Sequence, residues 1–391
     1  MEKLAITNGK LLTPQGVIDP GTLVIEDGMI AEILKRKIDS WRGRIMDVGG
    51  KYVLPGFVNL HSDCIETEMK MQQRLLLPIH AALANLDRKL ASWGITSEFH
   101  AINFSDTAEK GRSVALSKQL VEEIIRFRES GKPLVRHSIH VRCDPSSNPG
   151  TDLACQLVEE GNVEYGSLQE HAPGVGQYCD LELVRAHYAR RWALDEEGIQ
   201  RLLQQTRDSR KFVKTNEERF AQVTSSSGVP LASHDDDTED KVEYMRNLGV
   251  ALSEFPLNLP VALKARSLGM STCMGAPNAF RGQSQMKQNI SVREAIRAGA
   301  VNILCSDYYP SSLVYSTFTL AEETNLTIIE SLNLVSLNPA QFIGKGDILG
   351  SLEEGKEADI TIVSLDHGIP VISCTIVKGK IVYETHSPSY K

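Results

Sequence analysis

Eight apolar, strand-like runs alternate with segments of helical periodicity through the middle of this 391-residue chain. Repeats of this kind build parallel sheets, because each helix carries the chain back across the sheet to begin the next strand in the same direction. Eight such units are the number that closes a barrel. The predicted strands are 56–63, 96–103, 134–142, 163–171, 230–234, 250–255, 271–275 and 301–307. The predicted fold class is therefore α/β, with a (β/α)8 TIM barrel as its main domain.

Both ends of the chain carry short β-like runs with turn signals. Near the start, Asn8-Gly9 and Asp27-Gly28 each follow an apolar run, and such pairs favour tight turns between antiparallel strands. The last part of the chain repeats this strand-turn-strand pattern. We expect 1–53 and 346–391 to form one small composite β-sandwich domain, with 54–345 forming the barrel.

The connection between the fourth and fifth strands, near 172–229, is longer than an ordinary crossover and rich in Arg, Glu and Gln. We expect a helical insertion that covers the mouth of the barrel. Arginines on such helices are mostly solvated, but they could also reach an anionic substrate. The arginines concerned are Arg185, Arg190, Arg191 and Arg201.

Charge and composition exclude several classes of function. A formal net charge of -8 argues against nucleic-acid binding, which normally requires a basic surface. No run of about 18 apolar residues is present, and the N-terminal stretch lacks an apolar signal core. The seven cysteines are scattered without a C-x-x-C pair, as expected of reduced thiols. We therefore expect a cytoplasmic protein that acts on small molecules and contacts neither nucleic acid nor membrane.

The strand-like run LPGFVNLHSD at 54–63 ends in His61 and Asp63. Successive side chains of a strand alternate between its faces, so these two side chains point the same way. In a barrel they would lie at the carboxyl ends of the strands, where catalytic groups gather. An imidazole and a carboxylate that converge there are typical ligands of a hydrolytic metal centre. We predict both as metal ligands.

His234 and Asp307 end the fifth and eighth predicted strands. His234 opens an acidic run in which Asp235 is a weaker candidate, because acids in this position also cap helices. Asp307 could bind a cation and also accept a proton from an attacking water. We predict His234 and Asp307 as ligands, and Asp307 also as a catalytic residue.

The fourth strand ends in Glu170 and His171, which point to opposite faces of the strand. A carboxylate suits bridging between two cations, which favours Glu170, although a turn in the loop could bring His171 inward. Glu254 ends the sixth strand. Its side chain could form a salt bridge to an arginine of the insertion, or it could bind a metal or activate water. We predict a catalytic role.

Three residues are predicted to bind an anionic small-molecule substrate. Asn278 and Arg281 belong to a small-residue loop after the seventh strand, where barrels often hold phosphate through backbone N–H groups and an arginine. Arg142 faces inward by strand alternation, and a buried arginine requires anionic partners.

These stretches together resemble the amidohydrolase superfamily. The resemblance rests on the run that ends in His61 and Asp63, on the β-like termini, and on GSLEEGKEAD at 350–359. Further blocks, spread over nearly the whole chain, resemble the phosphonate-metabolism protein M family within that superfamily. They are HVRC at 140–143, EHAPG at 170–174, SHDD at 233–236, EFP at 254–256, MGAPN at 274–278 followed by Arg281, and SDYYP at 306–310.

The resemblance implies a metal-dependent hydrolase that converts α-D-ribose 1-methylphosphonate 5-triphosphate to the 5-phosphate and pyrophosphate, a step of the carbon–phosphorus lyase pathway. It also implies one or two divalent cations, with zinc expected and manganese or iron as alternatives. The ligands it implies are His61, Asp63, Glu170, His234 and Asp307. The fourth strand has no lysine that could form a bridging carbamate, so Glu170 would bridge instead.

Two other functions stay open from the sequence. The same ligands would allow hydrolysis of a C–N bond in a neutral ring, as in a cyclic amidase or a deaminase, and the loop at 66–80 departs from the family pattern. A non-enzymatic part of a multi-protein assembly is the other alternative, which the potential ligands at the strand ends disfavour. A homodimer is the default expectation for the oligomeric state.

Overall fold

The computed structural model describes residues 3–72, 75–105, 113–170, 194–284 and 289–385, together with Glu182, 185–186 and 189–190. Two large sheets and a short hairpin organise the strands of these residues. The strands are β1 (Lys3–Thr13), β2 (Gly16–Glu26), β3 (Met29–Leu34), β4 (Arg44–Asp47), β5 (Tyr52–Pro55), β6 (Phe57–Ser62), β7 (Lys70–Gln72), β8 (Leu75–Leu76), β9 (Ile95–Phe104), β10 (Arg136–Cys143), β11 (Tyr165–Leu168), β12 (Leu231–His234), β13 (Leu252–Glu254), β14 (Ser271–Gly275), β15 (Ile303–Cys305), β16 (Ile360–Asp366), β17 (Ile369–Val377) and β18 (Lys380–Glu384).

Helices follow most of the central strands. They are α1 (Cys64–Met69), α2 (Ile79–Ser92), α3 (Val114–Glu129), α4 (Asn148–Glu159), α5 (Glu196–Ser209), α6 (Val213–Ser226), α7 (Glu239–Asn247), α8 (Leu259–Ser267), α9 (Ala276–Arg281), α10 (Val292–Arg297), α11 (Ser312–Glu323), α12 (Ile328–Asn333) and α13 (Leu337–Phe342), with a 3-10 turn at Arg210–Phe212. Among the helices of the described residues, none has the length and apolarity that crossing a membrane requires.

The central sheet is a (β/α)8 barrel. Its strand order is β6, β9, β10, β11, β12, β13, β14 and β15, and all seven neighbouring pairs in that order are parallel. Strand order therefore follows chain order, as expected when each helix connects one strand to the next around a barrel. Each of these strands overlaps one of the eight predicted runs, which confirms the predicted fold class.

Apolar side chains fill the barrel and the layer between strands and helices. Inside the barrel, Leu60, Phe99, Tyr165 and Leu252 belong to one buried cluster. The surrounding helices pack amphipathic faces onto the outside of the strands, and α2 does so with apolar residues at helical spacing. All six described cysteines are free, buried thiols, in line with the predicted reduced state.

The second sheet joins the two ends of the chain. Its hydrogen-bonded path runs β18-β17-β16-β5-β1-β2-β3, with β4 paired to β1, so β5 and β16 link the N-terminal strands to the C-terminal ones. Both groups of strands contribute to one apolar core that contains Ile6, Leu23, Ile360 and Ile376. The sequence predicted a composite β-sandwich from both chain ends, and the structure shows that both ends share one sheet. The domain boundaries at 53/54 and 345/346 stay a prediction.

One of the two predicted N-terminal turns is wrong. Asp27-Gly28 forms the predicted hairpin turn between β2 and β3, with φ values of 52° and 81°. Asn8-Gly9 instead lies within β1, where Asn8 has a φ of 60° and the pairing with β2 shifts register. An Asn-Gly pair accommodates a β-bulge through the same positive φ that it offers a turn, and this accounts for the error.

Ion pairs and hydrogen bonds dock the terminal sheet onto the amino end of the barrel. Arg136, at the start of β10, forms ion pairs with Glu357 and Asp359. The Thr361 hydroxyl donates to the Gly94 carbonyl at 3.1 Å, and the backbone N–H of Gly56 donates to the Asp359 carbonyl at 2.9 Å. The sheet therefore supports the end of the barrel opposite to the predicted catalytic mouth.

The insertion after the fourth strand is helical where it is described. Its helices are α5 and α6, and the second packs against α4 and β12 as the crossover helix of that unit. Arg185 pairs with Glu196 at 2.5 Å and Arg201 with Glu197 at 3.5 Å, which agrees with surface roles for both arginines. Arg191 lies outside the described residues.

Candidate metal centre

Polar side chains converge at the carboxyl ends of the barrel strands. The strands alternate their side chains between the barrel interior and the helix layer, so the last inward positions form a ring at the mouth. Most of that ring is buried despite its polarity. Its members are His61, Asp63, His140, Arg142, His234, Glu254 and Asp307.

Backbone atoms of the predicted ligands close the barrel between its first and last strands. The Asp307 N–H donates to the His61 carbonyl at 3.1 Å, and the Asp63 N–H donates to the Asp307 carbonyl at 2.9 Å. Two residues before His61 in β6, the Asn59 side chain donates to the Ser306 hydroxyl at 2.8 Å and accepts from the Ser306 N–H at 2.8 Å. The geometry of the ring is therefore fixed by the same contacts that complete the barrel.

Three residues just beyond the ends of barrel strands have left-handed backbone conformations. Two of them follow a strand directly, and the third lies two residues after one. Asp235, Phe255 and Asp307 have φ values of 53°, 53° and 54°. Non-glycine residues rarely adopt this region, and a bulky Phe is unusual there. Phe255 and Asp307 lie where β13 (Leu252–Glu254) and β15 (Ile303–Cys305) have ended, so both strands stop short of the predicted ends at 255 and 307. Both strands also begin two residues later than the predicted starts at 250 and 301.

Two groups of metal-ligating side chains share His61. In each group the ligand atoms lie within 4.8 Å of one another, and within the described part of the chain no third group meets this criterion. The His61 Nδ1 atom is 3.3 Å from both carboxylate oxygens of Glu254, and His140 completes that group. The His61 Nε2 atom is 3.8 Å from Asp63 Oδ1, and Asp307 completes the other.

The two groups differ in their access to solvent. His61, His140 and Glu254 have 1%, 0% and 0% of their surface exposed. Asp63, in contrast, keeps 32% of its side chain exposed. A cation on the Asp63 side could therefore keep a coordination position for water or substrate, as catalytic sites require.

The donor set fits a divalent cation. Imidazole nitrogens and carboxylate oxygens are the usual ligands of zinc and of similar metals. The Nδ1 atom of His140 is buried and has no hydrogen-bond partner, while its Nε2 atom lies 2.8 Å from the Ser167 hydroxyl. Burial lowers the pKa of His140 well below its ordinary value, so the imidazole is in the neutral form that binds metals.

Burial and neighbouring charges shift the pKa values of two of the inward carboxylates, those of Glu254 and Asp307. Burial alone would raise the pKa of Glu254, but the charge and hydrogen bond of His61, together with the neighbouring His140 and His234, outweigh it and lower the pKa to about 2. Burial, aided by the negative charge of Asp63, raises the pKa of Asp307 to about 6. In the metal-free protein Asp307 therefore exchanges a proton near neutral pH.

Arg142 connects the ring to the end of β11 through two hydrogen bonds. Its Nη1 atom donates to Asp63 Oδ1 at 2.6 Å, and its Nε atom donates to Gln169 Oε1 at 2.7 Å. The side chain is buried, as its inward direction predicted. Its observed anionic partner is a predicted metal ligand, which the sequence did not indicate.

The other predicted site residues lie around the ring. Glu170 is half-buried and pairs with Arg210 at 3.0 Å, outside both groups of ligands. His234 also lies outside them, with its ring centroid 5.6 Å from that of His61. Asp235 lies 3.2 Å from His234 Nδ1. His171 falls outside the described residues.

Asn278 and Arg281 are on α9, which follows β14 at the mouth. The Asn278 Oδ1 atom is buried without a hydrogen-bond partner. Arg281 is exposed, one helical turn further along the same face of α9. Phe255 connects this helix to the ring, because its side chain contacts His61 and approaches Gly275.

His140 is a candidate ligand that sequence analysis did not select. It lies two residues before Arg142 on β10, so strand alternation already placed it inside the barrel. Its depth in the ring depends on how far β10 is staggered relative to β6 and β13, which no local pattern in the sequence records.

A cavity of 730 Å³ lies at the other end of the barrel. Ser97, Ser138 and Arg136 line it together with Lys345 and Lys378, and none of the converging ligands does. Active sites of this fold lie at the carboxyl ends of the strands, so we assign this cavity to the junction between barrel and terminal sheet.

Comparisons with known proteins agree with this geometry. A model described as "Amidohydrolase family" matches residues 190–382. The alpha-D-ribose 1-methylphosphonate 5-triphosphate diphosphatase of Escherichia coli (strain K12) is 30% identical over 362 residues, which cover 92% of this chain and 94% of that protein. The dihydroorotase of Trichlorobacter lovleyi is 21% identical over 458 residues, covering 97% and 99%. A crystal structure of 5-methylcytosine deaminase from Klebsiella pneumoniae has a TM-score of 0.66 at 15% identity and covers 99% of each chain, a likeness of fold alone.

Proposed function

Because the chain belongs to the amidohydrolase family and, within it, to the phosphonate-metabolism protein M family, we propose that it hydrolyses α-D-ribose 1-methylphosphonate 5-triphosphate to the 5-phosphate and pyrophosphate. The observation that carries this proposal is the 30% identity to that diphosphatase over nearly the full length of both chains. Zinc is the proposed cation, and a cytoplasmic location and a homodimer belong to the same proposal.

In this proposal the exposed side of the ring holds the cation. His61, Asp63 and Asp307 would be its ligands, with Glu170 and His234 as the proposed ligands on the neighbouring strands. A bound divalent cation lowers the pKa of a water molecule toward neutrality, which makes attack on phosphorus feasible at physiological pH. Asp307 would orient the attacking water through a hydrogen bond and accept its proton.

The charge of the ring agrees with a cationic cofactor and an anionic substrate. Three inward carboxylates, those of Asp63, Glu254 and Asp307, face one arginine, Arg142. One divalent cation would neutralise the excess of negative charge. Arg142, Asn278 and Arg281 are then the proposed substrate contacts, which stabilise the charge that develops on the departing pyrophosphate.

Hydrolysis of a C–N bond is the second candidate. It is supported by the similarity to dihydroorotase along nearly the whole chain, although at a lower identity of 21%. Substrate charge favours the first candidate, because a buried arginine beside the ligands suits a polyphosphate better than a ring that is neutral or carries a single carboxylate.

Phosphorus NMR of the zinc-loaded or manganese-loaded protein with the triphosphate tests the proposal. We expect the triphosphate signals to be replaced by those of a monophosphate and pyrophosphate. The control is the D307N variant under the same conditions. An unchanged spectrum from the metal-loaded protein, combined with ring opening of dihydroorotate, would transfer the assignment to C–N hydrolysis.

A further inference from the structure

A buried hydrogen-bond chain leads from the barrel interior to His61. The Tyr165 hydroxyl donates to Glu254 Oε1 at 2.8 Å, and both carboxylate oxygens of Glu254 lie 3.3 Å from His61 Nδ1. Tyr165, Glu254 and His61 have no more than 1% of their surface exposed. The Tyr165 ring is held in turn by aromatic neighbours, His140 at 4.0 Å and Phe342 at 5.5 Å between ring centroids.

The two nitrogens of His61 therefore face different surroundings. Nδ1 faces a carboxylate that already accepts a hydrogen bond, in a region closed to solvent. Nε2 faces Asp63 and Asp307 on the side where Asp63 is partly exposed. A catalytic cation needs an open position for water, which only the Nε2 side offers. A histidine that binds a metal through one nitrogen commonly donates its other N–H to a carboxylate, which fixes the tautomer and the ring orientation.

We propose that Tyr165 and Glu254 form a positioning relay that orients His61 toward a cation on its Nε2 side. In this arrangement Glu254 accepts the Nδ1–H of His61, and Tyr165 fixes the carboxylate of Glu254. Neither residue touches the cation or the reacting atoms. The inference rests on the proposed function only because both require a bound cation. It assigns Glu254 a role that acts through His61, in place of the direct catalytic role predicted from the sequence.

His140 provides the competing arrangement. A cation on the Nδ1 side of His61 would satisfy the unpartnered Nδ1 atom of His140 and would make Glu254 a ligand. The two arrangements differ in what the loss of Glu254 does. A lost ligand changes the number of cations bound or their coordination, whereas a lost positioning group weakens binding without changing either.

Cobalt(II) titration of the metal-free protein separates these arrangements without any substrate. The visible absorption of bound cobalt reports its coordination, and the titration reports affinity and stoichiometry. The variants are Y165F, which keeps the aromatic packing, and E254Q. The matched control is Y244F, because the Tyr244 hydroxyl donates to Glu217 Oε2 at 2.9 Å outside the ring.

We expect Y165F and E254Q to bind as many cobalt ions as the unsubstituted protein, with affinity reduced about 10-fold to 100-fold and band intensity retained. Y244F should match the unsubstituted protein. Loss of a bound ion or of band intensity in E254Q would make Glu254 a ligand and overturn the relay. Equal affinities in Y165F and Y244F would also overturn it, even if E254Q failed to fold. A protein that binds cobalt as expected but releases no pyrophosphate would reject the phosphonate assignment and leave the relay intact.

Discussion

The guanidinium of Arg142 donates to the carboxylate of Asp63 across 2.6 Å, and both residues belong to the ring at the barrel mouth. A cation bound by Asp63, as proposed, would therefore compete with Arg142 for the same carboxylate. Substrate phosphates would in turn compete with Asp63 for the arginine. Through this hydrogen bond the proposed binding of a cation would be coupled to the proposed binding of an anionic substrate.

The R142M variant should bind divalent cations more tightly but turn over more slowly. Removal of the positive charge beside Asp63 should raise cation affinity about tenfold by removing repulsion. Loss of the same charge should lower kcat/KM for the triphosphate at least about 100-fold, because developing negative charge is left without its partner. Calorimetric zinc titration and phosphorus NMR measure the two effects. The control is R281M, since the exposed Arg281 should leave cation affinity unchanged. Equal zinc affinity in R142M and the unsubstituted protein would contradict competition for Asp63.

The D307N variant should lose about 1,000-fold or more in turnover, because the residue is proposed both to hold the cation and to receive the proton of the water. The metal-free variant should keep the thermal transition of the metal-free parent, since the amide has the size of the carboxyl group and carries no buried charge. Pyrophosphate release and scanning calorimetry give the two readouts. D366N is the matched control, because Asp366 is exposed on the terminal sheet. Activity retained in D307N would remove Asp307 from the site.

Glu98 should make the stability of the metal-free protein depend on pH. Burial raises its pKa to about 7, although Asn59 donates to Glu98 Oε2 at 2.7 Å. The unfolded chain releases this proton at lower pH than the folded chain does, so the free energy of unfolding should fall as the pH rises from about 4.5 through 7. The loss should approach about 3 kcal/mol above that range.

The E98Q variant cannot ionise and should lack this part of the pH dependence. Chemical denaturation of both proteins at pH 5 and pH 8 measures it. E98Q should gain stability relative to its parent on going from the lower pH to the higher. A difference that is the same at both pH values would show that Glu98 ionises normally in the folded protein.

Arg136 should contribute to stability by neutralising carboxylates where the terminal sheet meets the barrel. Asp359, one of its two partners, is 3% exposed. R136M would leave that carboxylate buried without its cation, and we expect unfolding to become easier by about 3 kcal/mol, as for other buried pairs that lose one member. Urea denaturation measures the change.

The double variant R136M/D359N should regain part of the lost stability, because the amide oxygen of Asn can still accept from the backbone N–H of Lys378. R219M provides a surface comparison, since its pair with Asp152 is about half exposed on both sides and should contribute less than about 1 kcal/mol. Similar effects of R136M and R219M would mean that the junction does not depend on this pair.

Positions of the barrel strands could be predicted from the sequence because each apolar run is bounded by turn residues. Phe57–Ser62 falls within the predicted 56–63, and Ser271–Gly275 matches its prediction at both ends. Strand ends were less predictable where a residue with a left-handed backbone conformation follows the strand. At Phe255 nothing in the local sequence indicates the positive φ, and its ring packs against His61 and His234, which come from other strands.

Side-chain direction was predictable within a strand, whereas partners across the barrel were not. The sequence predicted that His61, Asp63 and Arg142 point inward, and their side chains do converge in the ring. The register of β6 shifts between Asn59 and Ser62, so simple alternation does not hold along the whole strand. The pairing of Arg142 with Asp63 depends on the stagger between strands 79 residues apart. Tyr165 is the first residue of a buried strand, and the sequence gives no sign that it differs from other core residues. Its hydrogen bond to Glu254 joins residues 89 positions apart. Such contacts arise from barrel tilt and stagger, which belong to the whole sheet.

Barrel closure takes place at the proposed cation ligands themselves. There the first and last strands meet through Asn59 and Ser306, which are 247 positions apart in the chain. A cation held jointly by His61, Asp63 and Asp307 would therefore act as a reversible cross-link between distant parts of the polypeptide, comparable in effect to a disulfide that closes a long loop. Chelation should then do more than stop turnover. It should lower the barrier to unfolding at this junction, so that the protein without its cofactor is also cleaved more readily by proteases.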